Sequence, residues 1–194
     1  MIAFVRGNFV RKTPAMVLVD VNGIGYELHI SLNTYASIQQ KEHGQLHTYF
    51  HVREDAQVLF GFYDEAEKEM FIQLLSVSGV GAATARMMLS SMKPDEIARA
   101  ILQGNSRQLE SIKGIGKKSA ERIILELRDR VGKVSFDSNN ASLINNTLEQ
   151  DALNALIALG IARAAGEQAI QRVRKAEPDL LRIEDIIKKA LKIL

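Results

Sequence analysis

Two short stretches, Ser78-Gly79-Val80-Gly81 and Lys113-Gly114-Ile115-Gly116, decide how this chain is read. They lie 35 residues apart, and the same offset maps Leu74 onto Leu109, Val77 onto Ile112, Ala85 onto Ala120, Met88 onto Ile123 and Leu89 onto Ile124. Two glycines recur by chance; matched apolar positions on both flanks do not. The spacing predicts one helix–turn–helix unit used twice. Ahead of the first copy, Asp64 can cap a helix, with Glu67 three residues on in capping-box position and Met70, Phe71, Leu74, Leu75 and Val77 at helical spacing. Between the copies, Lys93-Pro94-Asp95-Glu96 opens another helix that stops near Gly104, and Ser106 can cap the next.

A glycine-bracketed turn that opens a helix has a definite chemistry. The first backbone N–H groups of a helix have no partner inside it, and the helix dipole places partial positive charge there. A phosphate oxygen can accept from those groups when no Cβ blocks the approach. Alone, Gly-x-Gly reads as a helix C-cap and turn. Duplicated, with Lys117, Lys118 and Arg122 around the second copy, it reads as a pair of phosphate-binding hairpins. The candidate contacts are Gly79, Val80, Gly81, Gly114, Ile115, Gly116, Lys117, Lys118 and Arg122, with Val80 and Ile115 plugging the turns into the core. Arg128 and Arg130 read as ordinary surface charge. Contacts of this kind touch phosphate only and carry no base information, so specificity must come from the shape of the nucleic acid.

Charge distribution agrees. The net charge is only +2, yet residues 104–133 hold eight Lys/Arg against four Asp/Glu. Residues 1–63 are balanced at five each and residues 134–194 at eight each. A localised anion-binding patch fits this better than a generally basic protein, although a solvated helix face also would. Two lookalikes fail. A P-loop requires Ser or Thr directly after Gly-Lys, whereas Lys118 intervenes before Ser119. A dinucleotide fingerprint requires a preceding strand and a third glycine-like position, which Thr84 and Ser119 occupy instead.

Residues 1–63 alternate as strands: Ile2 to Val10, Ala15 to Val21, Tyr26 to Ile30, Leu46 to Val52 and Gln57 to Phe62, with a short helix from Ser31 to Gln39 and a hairpin signal at Asn22-Gly23. Five strands with a helix between the third and fourth is the order of an OB-type barrel. Residues 134–147 are rich in Ser and Asn and read as a flexible linker. Residues 148–194 carry three helical patterns, marked by Leu153, Leu156 and Ile157, by Ala169, Ile170 and Val173, and by Ile183, Ile186, Ile187 and Leu191. The expected fold class is therefore α+β and multidomain: barrel at 1–63, tandem helix-hairpin-helix at 64–133, linker at 134–147, three-helix domain at 148–194.

Cysteine is absent, which removes disulfides and thiolate metal sites. His29, His43, His47 and His51 read as strand and loop residues, and no cofactor or metal is expected. No secretory signal or run of membrane-spanning length is evident, so the expectation is a cytoplasmic protein. A helix-hairpin-helix glycosylase or nuclease would need a catalytic Lys or Asp in a base-sized pocket or a metal cluster, and neither stands out.

Taken in order, these segments resemble the RuvA family over the whole chain. The similarity is specific at Arg6-Gly7, at Val52-Arg53-Glu54-Asp55-Ala56, at Leu59-Phe60-Gly61-Phe62 and at Gly114-Ile115-Gly116-Lys117-Lys118-Ser119-Ala120-Glu121-Arg122. The resemblance implies a homotetramer, or two stacked as an octamer, that holds a four-way (Holliday) DNA junction open and square. It implies coupling to the hexameric RuvB ATPase, which drives branch migration in recombination and repair, and it admits the RuvC resolvase as a further partner. It also implies an acidic pin at Glu54 and Asp55, a pair that on its own reads as a polar turn. The terminal domain matches the family's RuvB-binding module, with Leu159, Gly160 and Ile161 as the helix-joining loop and partner-contact candidates of a ubiquitin-associated-like fold. In one place the chain departs from the family. Ala82-Ala83-Thr84 follows the first hairpin where a basic residue is expected, leaving Gly79, Gly81 and Arg86, so that hairpin is expected to bind more weakly.

Overall fold

Alternating apolar residues in the first 63 positions close on themselves. A computed structural model describes residues 1–135, 144–177, 180 and 182–194, which fall into two units divided between Ser135 and Phe136. In the first unit, β1 (Phe4–Thr13), β2 (Met16–Val21), β3 (Ile24–Ile30), β4 (His43–Val52) and β5 (Gln57–Phe62) form a closed barrel in the order β1-β2-β3-β5-β4. Only the β3–β5 pairing is parallel. This is the OB arrangement, and closure leaves the sheet no free edge. Val5, Phe9, Val17, Val19, Leu28, Ile30 and Leu46 fill it. Asn22 and Gly23 take φ of 52° and 89° between the paired Val21 and Ile24, the primed turn that strand twist favours. At Gly7 a Cβ would lie 2.0 Å from the Asp20 carbonyl oxygen, so β1 passes β2 at a distance only glycine permits.

The barrel and the helices share a core across residue 63. Phe71 of α2 (Glu65–Leu75) stacks on Phe60 and Phe62 of β5, with ring centroids 5.0 and 4.9 Å away, and on Tyr49 of β4 at 5.5 Å. Each such aromatic pair adds about 0.5–1.5 kcal/mol beyond area burial. Asp64 caps α2 as expected, its side chain accepting from the Glu67 amide at 2.7 Å. Glu67 does not close the capping box. Its carboxylate turns inward and accepts from the Ser31 and Thr34 hydroxyls at the start of α1 (Leu32–Ile38). Burial pushes the Glu67 carboxyl above its ordinary pKa, against the opposing pull of those two hydrogen bonds. Asn33 of the same short helix donates to the Leu89 and Met92 carbonyls, closing the end of α3 (Ala82–Ser91). The barrel thereby holds the first hairpin at both of its helices.

α4 (Pro94–Leu102), α5 (Ser106–Glu110) and α6 (Lys117–Ser135) complete the unit. Pro94 sits in the first turn, and Glu96 reaches back to the Lys93 amide at 2.8 Å. α5 is capped by Asn105 rather than Ser106: the Asn105 side chain accepts from the Gln108 amide at 3.2 Å, immediately after Gly104 turns the chain with φ 66°. The expected linker loses its ends to helix, since α6 runs to Ser135 and α7 begins at Ile144; its centre, 136–143, lies outside the described residues.

The second unit packs α7 (Ile144–Ala158), α8 (Arg163–Ala176) and α9 (Ile183–Ile193) around Leu153, Leu156, Ile170, Val173 and Ile186. Ile157 and Leu191, which mark two of the helical patterns, face outward at 38% and 43% exposure. A small three-helix domain cannot bury the full apolar width of each helix. Gly166 lets α8 approach α7: a Cβ there would stand 3.0 Å from Leu153 Cδ1.

Candidate nucleic-acid interface

The two glycine turns are the same object built twice, bond by bond. Val80 N–H donates to the Val77 carbonyl at 3.0 Å, and Ile115 N–H to Ile112 at 3.0 Å. Ala85 N–H donates to Gly81 and Ala120 N–H to Gly116, at 2.9 and 3.0 Å. Even the hydroxyls repeat: Ser76 Oγ donates to the Gln73 carbonyl and Ser111 Oγ to Gln108, both at 2.7 Å. Val80 and Ile115 are buried beneath their turns, as are Leu74 with Leu109, Val77 with Ile112, Ala85 with Ala120 and Met88 with Ile123. Leu89 is buried while its counterpart Ile124 is only partly so.

The paired glycines serve different ends. Gly79 and Gly114 have φ of 89° and 93°, a left-handed backbone that other residues adopt at a cost of about 1–2 kcal/mol. Gly81 and Gly116 need no such freedom: Gly81 has φ −87°, and at both positions a Cβ would meet nothing within 4 Å. The packing there leaves room for a side chain; Gly81 is also the N-cap of α3, a position that favours glycine over Ala or Val. Both precede a helix, whose first amides have no partner within it.

The charges at these helix ends fall into two groups. α2 and α4 follow the usual rule, with Glu65 and Glu67, and Asp95 and Glu96, in their first turns. α3 and α6, the helices that follow the glycine turns, have no acidic residue there, and neither do α1, α5 and α8. α6 instead opens with exposed Lys117 and Lys118, at the end where the helix dipole disfavours cations. An anion brought to that turn would offset both penalties.

Arg122 and Arg130 cross from α6 to the first copy. Arg122 Nη1 donates to the Ser78 carbonyl at 3.2 Å, and Arg130 Nη1 to Ser76 Oγ at 2.8 Å. Arg130 is thus a tie between the repeats and not ordinary surface charge. Arg86, expected to help the first hairpin, points elsewhere: its Nη1 lies 3.2 Å from the Ala15 carbonyl and 3.1 Å from His29 Nδ1, on the barrel. α3 turns that side chain toward the strands rather than toward the glycine turn.

Glu54 and Asp55 stand exposed at the tip of the β4–β5 hairpin, in a turn closed by Arg53 N–H donating to the Ala56 carbonyl at 2.8 Å. Beneath the tip a cleft runs to α3, lined by His29, His51, Arg53, Phe60 and Arg86. His29 and His51 belong to this lining, and among the described residues no group of three acidic or histidine side chains is placed to hold a metal ion. None of the described helices is long and apolar enough to cross a membrane. In the second unit, Gly160 turns the α7–α8 loop with φ 90°, Ile161 folds back against the core and Leu159 is 62% exposed.

An OB-type barrel sharing a core with two tandem helix-hairpin-helix motifs defines a class of nucleic-acid-binding architecture in which main-chain amides and a few cations make the contacts. Family models match in the same order: the RuvA N-terminal domain over residues 1–61, the SAM-like helix-hairpin-helix tandem over 71–129 and the RuvA C-terminal domain over 147–194. Proteins named Holliday junction branch migration complex subunit RuvA are similar end to end. That of Syntrophotalea carbinolica is 44% identical, covering all of this chain and 99% of its own. Those of Christiangramia forsetii and Cytophaga hutchinsonii are 42% and 41% identical, covering both chains completely. The chain belongs to the RuvA family.

Proposed function

We propose that this protein binds four-way DNA junctions by structure rather than sequence, and presents them to a separate ATP-driven motor for branch migration. The observation that carries the reading is the open space around Gly81 and Gly116, in turns whose helices begin without acids. A sugar–phosphate backbone is a ligand that could enter the space both turns leave open in front of their helices. Lys117 and Lys118 add charge attraction at the second turn.

Two weak hairpins per chain become a strong site when chains assemble. A homotetramer, alone or stacked in pairs as an octamer, would hold eight or more of these turns on one rigid body, so that each contact raises the local concentration for the next. Four copies of the Glu54–Asp55 tip around one axis would repel phosphates from the centre, favouring a junction whose strands part there over an uninterrupted duplex. The second unit would carry the contact to the RuvB-type ATPase, with exposed Leu159 beside Ile157 as its apolar face and Gly160 and Ile161 shaping the loop. A RuvC-type resolvase is a further partner. The chain itself acts as a cytoplasmic DNA-binding subunit without catalysis of its own.

The deciding experiment is a competition between a synthetic four-way junction and linear duplex of equal length, in parallel with Gly116→Val. The junction should win by orders of magnitude with little sequence dependence. The Gly116→Val protein should lose affinity while remaining folded, with no more than the small loss of stability a poorer helix cap brings. Equal affinity for the two DNAs, or unchanged binding by the variant, overturns the proposal.

A further inference from the structure

Among the candidate contacts, one sits beside a turn other than its own. Counting by the 35-residue offset, Lys117, Lys118 and Arg122 of the second copy correspond to Ala82, Ala83 and Met87 of the first. The first hairpin therefore carries no cation in the places where the second carries three, and Arg86, the nearest in sequence, is held on the barrel by Ala15 and His29. Yet the first turn is built to the same pattern as the second, with the same open glycine at 81 and the same acid-free helix start. A turn of that construction with no cation nearby would hold phosphate by amides alone.

We infer that Arg122 is the phosphate-binding cation of the first hairpin, lent by the second. Its Nη1 is bonded to the carbonyl of Ser78, the residue just before Gly79, at 3.2 Å, and a Cβ placed on Gly79 would lie 3.9 Å from that same nitrogen. The guanidinium is exposed, and the Ser78 bond occupies one of its five donors. The carbonyl fixes the fork at the rim of the turn and leaves its other N–H groups available to a phosphate oxygen that has docked on the amides after Gly81. Such a charge-assisted contact is the strong kind. The second hairpin has Lys117 and Lys118 in its own first turn and does not need it. Binding at the first turn then depends on the second repeat being folded against it, so the two hairpins act as one site with a shared cation.

This inference rests on the hairpin reading above, and a double-mutant cycle separates the two. Arg122→Gln, Gly81→Val and Gly116→Val, singly and in pairs, are titrated as full-length proteins against a fluorescein-labelled four-way junction. Arg122→Gln should weaken binding about tenfold or more, the usual worth of a lost charged hydrogen bond. Its effect should largely vanish in the Gly81→Val background, where the first turn is already closed to phosphate, and persist in full with Gly116→Val. The salt dependence should flatten by about 0.9 log units per log unit of salt for each phosphate contact removed, and Arg122→Lys should restore the slope. Adding Ala83→Lys to Arg122→Gln should recover affinity by supplying the first hairpin with its own cation at an exposed position. Coupling of Arg122→Gln to Gly116→Val instead, additivity with both glycine variants, or an unchanged salt slope overturns the inference while leaving the hairpins as binding elements. If neither glycine variant weakens binding by itself, the hairpin reading fails and takes the inference with it.

Discussion

Glu67 is a carboxylate removed from water and held between two elements. Its two partners, Ser31 and Thr34, are both buried, so truncation to alanine strands two hydroxyls and should cost about 1–3 kcal/mol. Glu67→Gln keeps the shape and an acceptor. Because burial raises the folded-state pKa, the folded chain holds the proton more tightly than the unfolded one. Glu67 therefore stabilises most below its unfolded-state pKa, and that contribution is lost as pH rises through the raised folded value. Relative to Glu67→Gln, the wild type should lose stability across that window, and urea unfolding of the two proteins at a series of pH values measures it; a pH-independent difference would show that the carboxyl is not desolvated. The exposed Glu54 and Asp55 make the contrast. They have no such structural tie, so replacing both by Asn should leave the unfolding temperature unchanged while raising affinity for linear duplex several-fold. Unchanged duplex affinity would reduce the pair to a polar turn.

A hairpin is an element whose glycines separate folding from binding. Gly79→Ala forces alanine into φ near 89° and should destabilise by about 1–2 kcal/mol. Gly81→Val places its side chain in open space at an ordinary φ, so beyond the modest cost of a poorer helix cap, up to about 1 kcal/mol, its main effect should be on DNA binding. Thermal unfolding and gel-shift titration of the two variants side by side test this, and a stability loss at Gly81 equal to that at Gly79 would mean the turn is structural only. These elements were legible because a repeat shows itself through offset, and the core positions under each turn follow from it. What stayed hidden depends on neighbours far along the chain. Nothing local tells a capping-box Glu67 from one that crosses to Ser31, and helical spacing alone does not reveal that Arg86 turns to the barrel while Arg122 turns to the other repeat. Asn105 displaced Ser106 as a cap because Gly104 set the helix start one residue earlier. Ile157 and Leu191 obeyed helical spacing but lie beyond what so small a core can cover.

At the scale of the whole molecule, the proposed function assigns DNA contact and motor contact to different units. The basic excess of residues 104–133 lies in the first, together with both hairpins and the Glu54–Asp55 tip, whereas residues 134–194 balance eight cations against eight acids. Long-range attraction to DNA thus belongs to the first unit, and the second adds almost nothing to it at physiological salt. A chain ending at residue 135 keeps the barrel, its shared aromatic core and both turns. It should bind a four-way junction with the affinity and salt slope of the full-length protein, yet fail to stimulate junction-dependent ATP hydrolysis by the RuvB-type motor. Supplying residues 144–194 as a separate chain should not restore stimulation at equal concentration, because covalent linkage to the DNA-binding unit is what gives that unit a high effective concentration. A shallower salt slope for the shortened chain would place phosphate contacts in the second unit, and full stimulation by it would place the motor contact in the first.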